Sequence, residues 1–272
     1  YLMLLRLRYI LLIISFFAIA SCQLINPDEP IPGYLKINKI AFFDSTSTQA
    51  QKDGVQKFTD AWVYIDNQLQ GVYELPARVP VLLDGQHAIN IIPGVVINGV
   101  SATRSQYVYA RSYQITENFK SDSQTTISPK TSYQLAYFKF IEDFETTASF
   151  FDTTFRGNAA INRVSGDLAF KGQYSGEVIL KDSNAVLDME TNKSFTVSAS
   201  SPNPIYLEVN YKTEVPLNIG IYVKSSVSVN RISKVFLNPN NDWNKVYLDL
   251  TSEIKTAANA GQTFSVYITA VK

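Results

Sequence analysis

Apolar residues in this chain return at every second position over short segments, and that spacing limits what it can fold into. Ile205, Leu207, Val209 and Tyr211 alternate with Tyr206, Glu208 and Asn210, and Leu217, Ile219, Ile221 and Val223 alternate with Asn218, Gly220 and Tyr222. The same rhythm groups Val246, Leu248 and Leu250, and again Phe264, Val266, Ile268 and Ala270. Residues two apart share one face of a strand, so each segment has one greasy side to bury. Gly, Pro, Asn, Asp and Ser separate the segments, which is turn chemistry. After residue 33 no long stretch carries helical spacing. The expectation is an all-β chain whose stacked sheets bury these faces against one another.

The segments divide into two sets. Strands are expected at 34–43, 61–66, 69–74, 79–83, 87–92, 106–115 and 132–138, with polar loops at 44–56 and 121–130. A second set falls at 168–170, 177–181, 195–199, 205–211, 217–224, 233–237, 245–250 and 264–271. This predicts one β domain over 34–138 and another over 139–272, the second with the strand number and spacing of a jelly-roll sandwich. Asp66-Asn67 marks a hairpin turn between 61 and 71, and Asp84-Gly85 marks a second hairpin over 79–92.

Charge and chemistry-bearing residues exclude several functions. Lys+Arg and Asp+Glu each total 24, so the chain has no electrostatic pull on phosphate and no nucleic-acid partner is expected. One His and one Cys leave no multi-residue zinc site and no disulfide framework within the chain. There is no P-loop, dinucleotide-binding glycine turn, G-x-S-x-G or HExxH. His87 follows a Gly-Gln turn and has no evident catalytic partner. A protein without catalysis is expected.

The first residues read as an address. Arg6 and Arg8 precede an apolar run over 10–20, too short for a membrane span of roughly 20 residues. The run ends Ile19-Ala20-Ser21-Cys22. It resembles the bacterial lipobox, which implies a signal peptide over 1–21, cleavage before Cys22 and acylation of that cysteine. Lipid chains at about 0.8 kcal/mol per buried methylene would hold the protein on a membrane. Residues 22–33, with three prolines, read as an extended tether. The expected location is the bacterial outer membrane, on either side of it.

Two further resemblances concern the domains. Trp62-Val63-Tyr64-Ile65-Asp66, Gly71, and Gly85-Gln86-His87 with Ile89 and Ile91 resemble the PEGA-type surface module. That implies a small Ig/PEGA-like β-sandwich used for adhesion or spacing. Phe140–Glu145, Lys171–Val178 and Asn241–Asp249, which includes Trp243, resemble carbohydrate-binding-module-like, galactose-binding jelly rolls. This pair of domains behind a lipobox resembles lipoproteins of Bacteroidetes.

Three groups of side chains stand out. In the resembling jelly rolls, acids at the first strand and one on the penultimate strand hold a structural Ca2+, which takes oxygen ligands. The matching set here is Glu142 or Glu145 with Asp249, and the alternative is a solvated acidic linker. Tyr206, Tyr222, Tyr247 and Tyr267 lie on the side of their strands opposite the apolar one. They are candidate ligand-binding rings for a glycan, or else pair across strands or pack beneath the other domain. Trp243, in an Asn-rich turn, is a ligand contact at a loop tip or a plug at the end of the sandwich. Two roles follow as expectations: a glycan or surface-ligand binder, or an accessory subunit bound to an envelope protein in an outer-membrane assembly.

Overall fold

The computed structural model describes residues 29–43, 56–154 and 156–272. The signal-like segment, Cys22 and most of the tether lie outside the described residues. Strand makes up about 52% and helix about 5%, so the class is all-β as the alternation requires. No helix among the described residues is long and apolar enough to cross a membrane.

The first half contains β1 (Gly33–Ile37), β2 (Ala41–Phe42), β3 (Asp60–Ile65), β4 (Gln68–Glu74), β5 (Ala77–Val81), β6 (Gly85–Val96), β7 (Arg104–Gln106), β8 (Tyr113–Phe119), β9 (Gln124–Ile127) and β10 (Lys130–Thr131). One sheet runs β5-β1-β9 and another β4-β3-β6-β7, with β8 also on β6. β2 and β10 form a short parallel pair. Leu35, Ile37, Val79 and Val81 from the first sheet pack with Val63, Ile65, Ile89 and Ile91 from the second. β3 and β4 form the expected hairpin, and Asp66 and Asn67 at its turn have φ of 49° and 64°. Those left-handed values suit a two-residue turn of the kind that matches strand twist.

The second expected hairpin does not form. β5 pairs with β1, whereas β6 pairs with β3 and β8. Val79 and Val81 meet Ile89 and Ile91 in one core instead of lying beside them in a ladder. The link through Asp84-Gly85 therefore crosses from sheet to sheet.

The second half contains β11 (Phe151–Thr153), β12 (Asn162–Ser165), β13 (Tyr174–Glu177), β14 (Val186–Thr191), β15 (Tyr206–Thr213), β16 (Leu217–Lys224), β17 (Val229–Leu237), β18 (Asn240–Asp249), helix α1 (Thr251–Asn259) and β19 (Thr263–Val271). A five-stranded sheet runs β11-β14-β19-β16-β17, and β15 pairs with β18 in a separate ladder. The alternating apolar faces meet between them. Ile219, Leu237, Val246 and Leu248 pack with Leu207, Val209, Tyr211 and Ile268, and Ile221, Val223, Phe264 and Val266 pack with Leu250 and Ile254. Ile219, Ile221 and Leu248 are fully buried, each contributing about 1.5–3 kcal/mol of transfer free energy.

Several local expectations change. α1 is helical although it carries no long pattern: it is nine residues long and buries only Ile254 and Ala257. β14 lies where no strand was expected because Asp188 and Glu190 interrupt its apolar character; Arg156 and Lys224 pair with those acids. Residues 166–168 form a short 3-10 turn. Segments 132–138 and 195–199 contribute only the isolated bridges Ala110–Tyr133 and Phe195–Phe264.

Candidate functional site

The β15–β18 ladder has one face in the core and one turned away from it. Strand parity puts Tyr206, Glu208 and Asn210 of β15 on the outer face with Trp243, Lys245, Tyr247 and Asp249 of β18. The register sets Tyr206 opposite Asp249, Glu208 opposite Tyr247, and Asn210 opposite Lys245.

One end of this face is covered by the first half of the chain. The Tyr107 ring lies 5.3 Å from that of Tyr247 and 5.9 Å from that of Tyr206, and Tyr109 meets Tyr206 edge-on at 6.1 Å. Ile97 forms a parallel bridge with Tyr247. The Asn98 amide donates to the Tyr247 carbonyl at 2.7 Å, and the Lys57 amide donates to the Tyr247 hydroxyl at 2.9 Å. Tyr247 in turn donates through its hydroxyl to Gln56 Oε1 at 2.7 Å.

Glu208 is the hub of this seam. It accepts hydrogen bonds from the Tyr107 hydroxyl, from Gln56 Nε2 at 2.9 Å and from the Tyr133 hydroxyl at 3.3 Å, and it pairs with Lys245 at 2.7 Å. Burial pushes the Glu208 carboxyl up, but the Lys245 charge and the donated hydrogen bonds outweigh it, so its pKa lies below the ordinary value. Burial first, and the Glu208 charge second, push the Tyr107 and Tyr247 hydroxyls well above theirs, which keeps both protonated. Hydroxyl donors around a buried carboxylate make a satisfied network that fixes one half against the other. They provide no general base.

The other end of the face is open. A groove of about 240 Å³ is bounded by Gln56 and Lys57 on one side, Phe170 and Lys171 on another, and Asn210, Trp243, Asn244 and Lys245 on its floor and wall. The Trp243 ring leans on Phe170 with centroids 4.8 Å apart and planes at 36°. Lys57 Nζ donates to Asn244 Oδ1 at 2.7 Å. Asn210 Oδ1 is buried and has no hydrogen-bond partner. A buried acceptor left unpaired costs about 1–3 kcal/mol. The groove is smaller than the roughly 300–1,000 Å³ of drug-sized pockets.

A second hollow of about 220 Å³, near Asn98, Lys234, Asp249 and Glu253, has no aromatic wall. Its charged groups already engage one another: Lys234 with Glu253 at 2.6 Å, and Asp249 with the Thr251 amide at 2.9 Å.

The five candidate rings separate into three environments. Tyr206 and Tyr247 lie in the seam: Tyr247 is only 2% exposed and is not offered to solvent, while Tyr206 is half-buried with its ring against Tyr107 and Tyr109. Tyr222 and Tyr267 lie on the outer face of the five-stranded sheet, 4.9 Å apart and 3% and 0% exposed. Arg231 covers Tyr267 at 4.3 Å, and Arg156 donates to the Tyr222 hydroxyl at 2.8 Å. Trp243 sits on β18 itself, because that strand starts at Asn240 and absorbs the expected turn. It alone of the five borders the groove.

The candidate calcium ligands are engaged elsewhere. Glu142 accepts from the Phe144 and Phe150 amides, and Glu145 from the Gln173 and Tyr174 amides. Asp249 caps the chain at Thr251. Among the described residues no three His, Cys, Asp or Glu gather where they could hold a metal ion, so this set is not brought together. His87 pairs with Asp66 at 2.5 Å, far along the chain from the groove residues.

Sequence patterns assign no site role to Asn210, Phe170 or Lys57, and Lys171 entered only as the first residue of the 171–178 resemblance. They come from one strand and two loops, and only their juxtaposition gives them a role. Comparison with family models, with curated proteins and with solved structures finds no match to this chain.

Proposed function

We propose that this chain is a lipid-anchored, non-catalytic binding protein of the bacterial outer membrane, whose second half takes one ring of a glycan in the groove beside Trp243. The observation that carries this reading is a groove lined by the Trp243 indole together with the amide side chains of Asn210 and Asn244. The C–H face of a sugar packs on an aromatic ring, and its hydroxyls bond to side-chain amides. The first half serves as the spacer that also builds one wall through Gln56 and Lys57.

The test is a glycan array probed with the full chain, followed by titration of any retained glycan into Trp243→Ala and Asn210→Ala. Loss of about 1–3 kcal/mol of binding, roughly fivefold to 150-fold, is expected for the tryptophan variant. A blank array, or a variant that binds as wild type does, overturns the reading.

A second reading, an accessory subunit of an outer-membrane assembly, draws on Leu135 and Tyr137, 89% and 81% exposed, in the segment between the halves. Such apolar exposure marks protein contacts. Stoichiometric co-purification of an envelope protein, lost in Leu135→Ser/Tyr137→Ser, would support it. A lone monomer would count against it.

A further inference from the structure

We infer that the glycan this groove selects is acidic, carrying a carboxylate or a sulfate ester on the ring that enters. The inference rests on the glycan reading above and adds the ligand's charge to it. The groove is bordered by Lys57, Lys171 and Lys245, and among the described residues no carboxylate lines it. The chain as a whole has zero formal charge, so this excess is local rather than a sample of a basic protein.

The three cations are not equivalent. Lys245 is 4% exposed and its charge is cancelled by Glu208 at 2.7 Å. It belongs to the seam and leaves little field for a ligand. Lys57 is held at 2.7 Å by Asn244 Oδ1, a neutral acceptor, so its charge is positioned and not neutralised. Lys171 makes no hydrogen bond or ion pair with another described residue. Among the described residues neither ammonium meets a carboxylate, and both lysines line the groove that Trp243 lines.

Each groove element then has a matching part on one sugar. The ring face meets Trp243, a hydroxyl meets the side-chain amide of Asn210 or Asn244, and an anionic substituent accepts from Lys57 or Lys171. A neutral sugar would use the first two and leave both cations without an anion. Charge in a concave, partly desolvated groove discriminates more than on open surface.

The experiment uses the full chain and three probes: an oligogalacturonate, the same oligomer with its carboxyls methyl-esterified, and a sulfated glycosaminoglycan oligosaccharide. Titration calorimetry should show an acidic probe binding about tenfold or more tightly than the methyl ester. That preference should shrink from about 0.1 M to about 1 M salt, as the screening length falls from about 10 Å to about 3 Å. Lys171→Gln and Lys57→Gln should each weaken the acidic probe several-fold and the ester by less, so that the preference for acid over ester shrinks. Whether the uronate or the sulfated probe wins identifies the anion. Equal binding of the ester and the acid overturns the inference while the glycan reading stands. Tight acidic binding untouched by both lysine variants overturns it as well, because the charge would then be read elsewhere. If no probe binds and Trp243→Ala alters nothing on any glycan, both readings fall.

Discussion

Lys245 lies 2.7 Å from Glu208, and the two charges close the seam at the point where the groove begins. Their side chains are 4% and 17% exposed, so neither is well solvated. Removing one partner of such a pair leaves the other buried and uncompensated. Glu208→Gln is expected to cost about 3–5 kcal/mol, and Glu208→Leu with Lys245→Met to recover much of that loss. Urea denaturation midpoints measure both. The acid dependence follows from the depressed Glu208 pKa: the pair's stabilisation is full above the unfolded value near 4.5 and is lost as pH falls through the lower folded value.

The His87–Asp66 pair gives a pH dependence of opposite sign at neutrality. The hydrogen bond with Asp66, then that with the Asp84 carbonyl, raises the His87 pKa above 6.5. Its contribution is present below the unfolded value and is lost as pH rises through the folded one. Asp66 is lowered by the same hydrogen bond, so its contribution disappears in acid below 3.8. Since the chain has one histidine, the imidazole signal in a proton NMR titration is unambiguous. Its midpoint should lie above 6.5 and return towards that value in Asp66→Asn.

Gly220 allows β16 and β17 to approach, with the Tyr267 ring of β19 laid over it. A Cβ there would lie 2.1 Å from the Ile232 carbonyl oxygen and 2.6 Å from the Tyr267 hydroxyl. The first contact is with backbone and cannot swing aside. Gly220→Ala should therefore destabilise by about 1–3 kcal/mol or more. An unchanged thermal midpoint would mean that the ladder shifts freely at its bulge beside Ile219.

Leu248 and Val227 provide a contrast within the same half. Leu248 is fully buried, and its truncation to alanine should cost about 2–5 kcal/mol. Val227 is 91% exposed, and Val227→Ala should fall within about 0.5 kcal/mol of wild type. Equal effects would show that the β15–β18 face is not the core side.

The sequence read the sandwich faces well because period-two spacing is a local property. Ile219, Val246, Leu248 and Val266 need only their own strands to declare a side. Strand partners were less legible: Val79 and Ile89 show the same spacing whether they share a ladder or meet across a core. β14 was hidden because Asp188 and Glu190 look like surface residues until Arg156 and Lys224 are placed beside them. The groove was legible only in part. Parity put Tyr247 and Trp243 on one face of β18, but covering one and sparing the other depends on where Tyr107 and Lys57 arrive from more than a hundred residues away. Lys171 and Phe170 sit in an irregular loop with no periodicity to reveal them.

Lys57 belongs to both the seam and the groove. Its amide is tied to the Tyr247 hydroxyl, while its ammonium is tied to Asn244. Prising the halves apart would pull Lys57 from Tyr247 and Asn244 at once and so remove a wall of the groove. The joint between the halves and the shape of the groove are in this way one equilibrium: whatever stiffens the first also preserves the second.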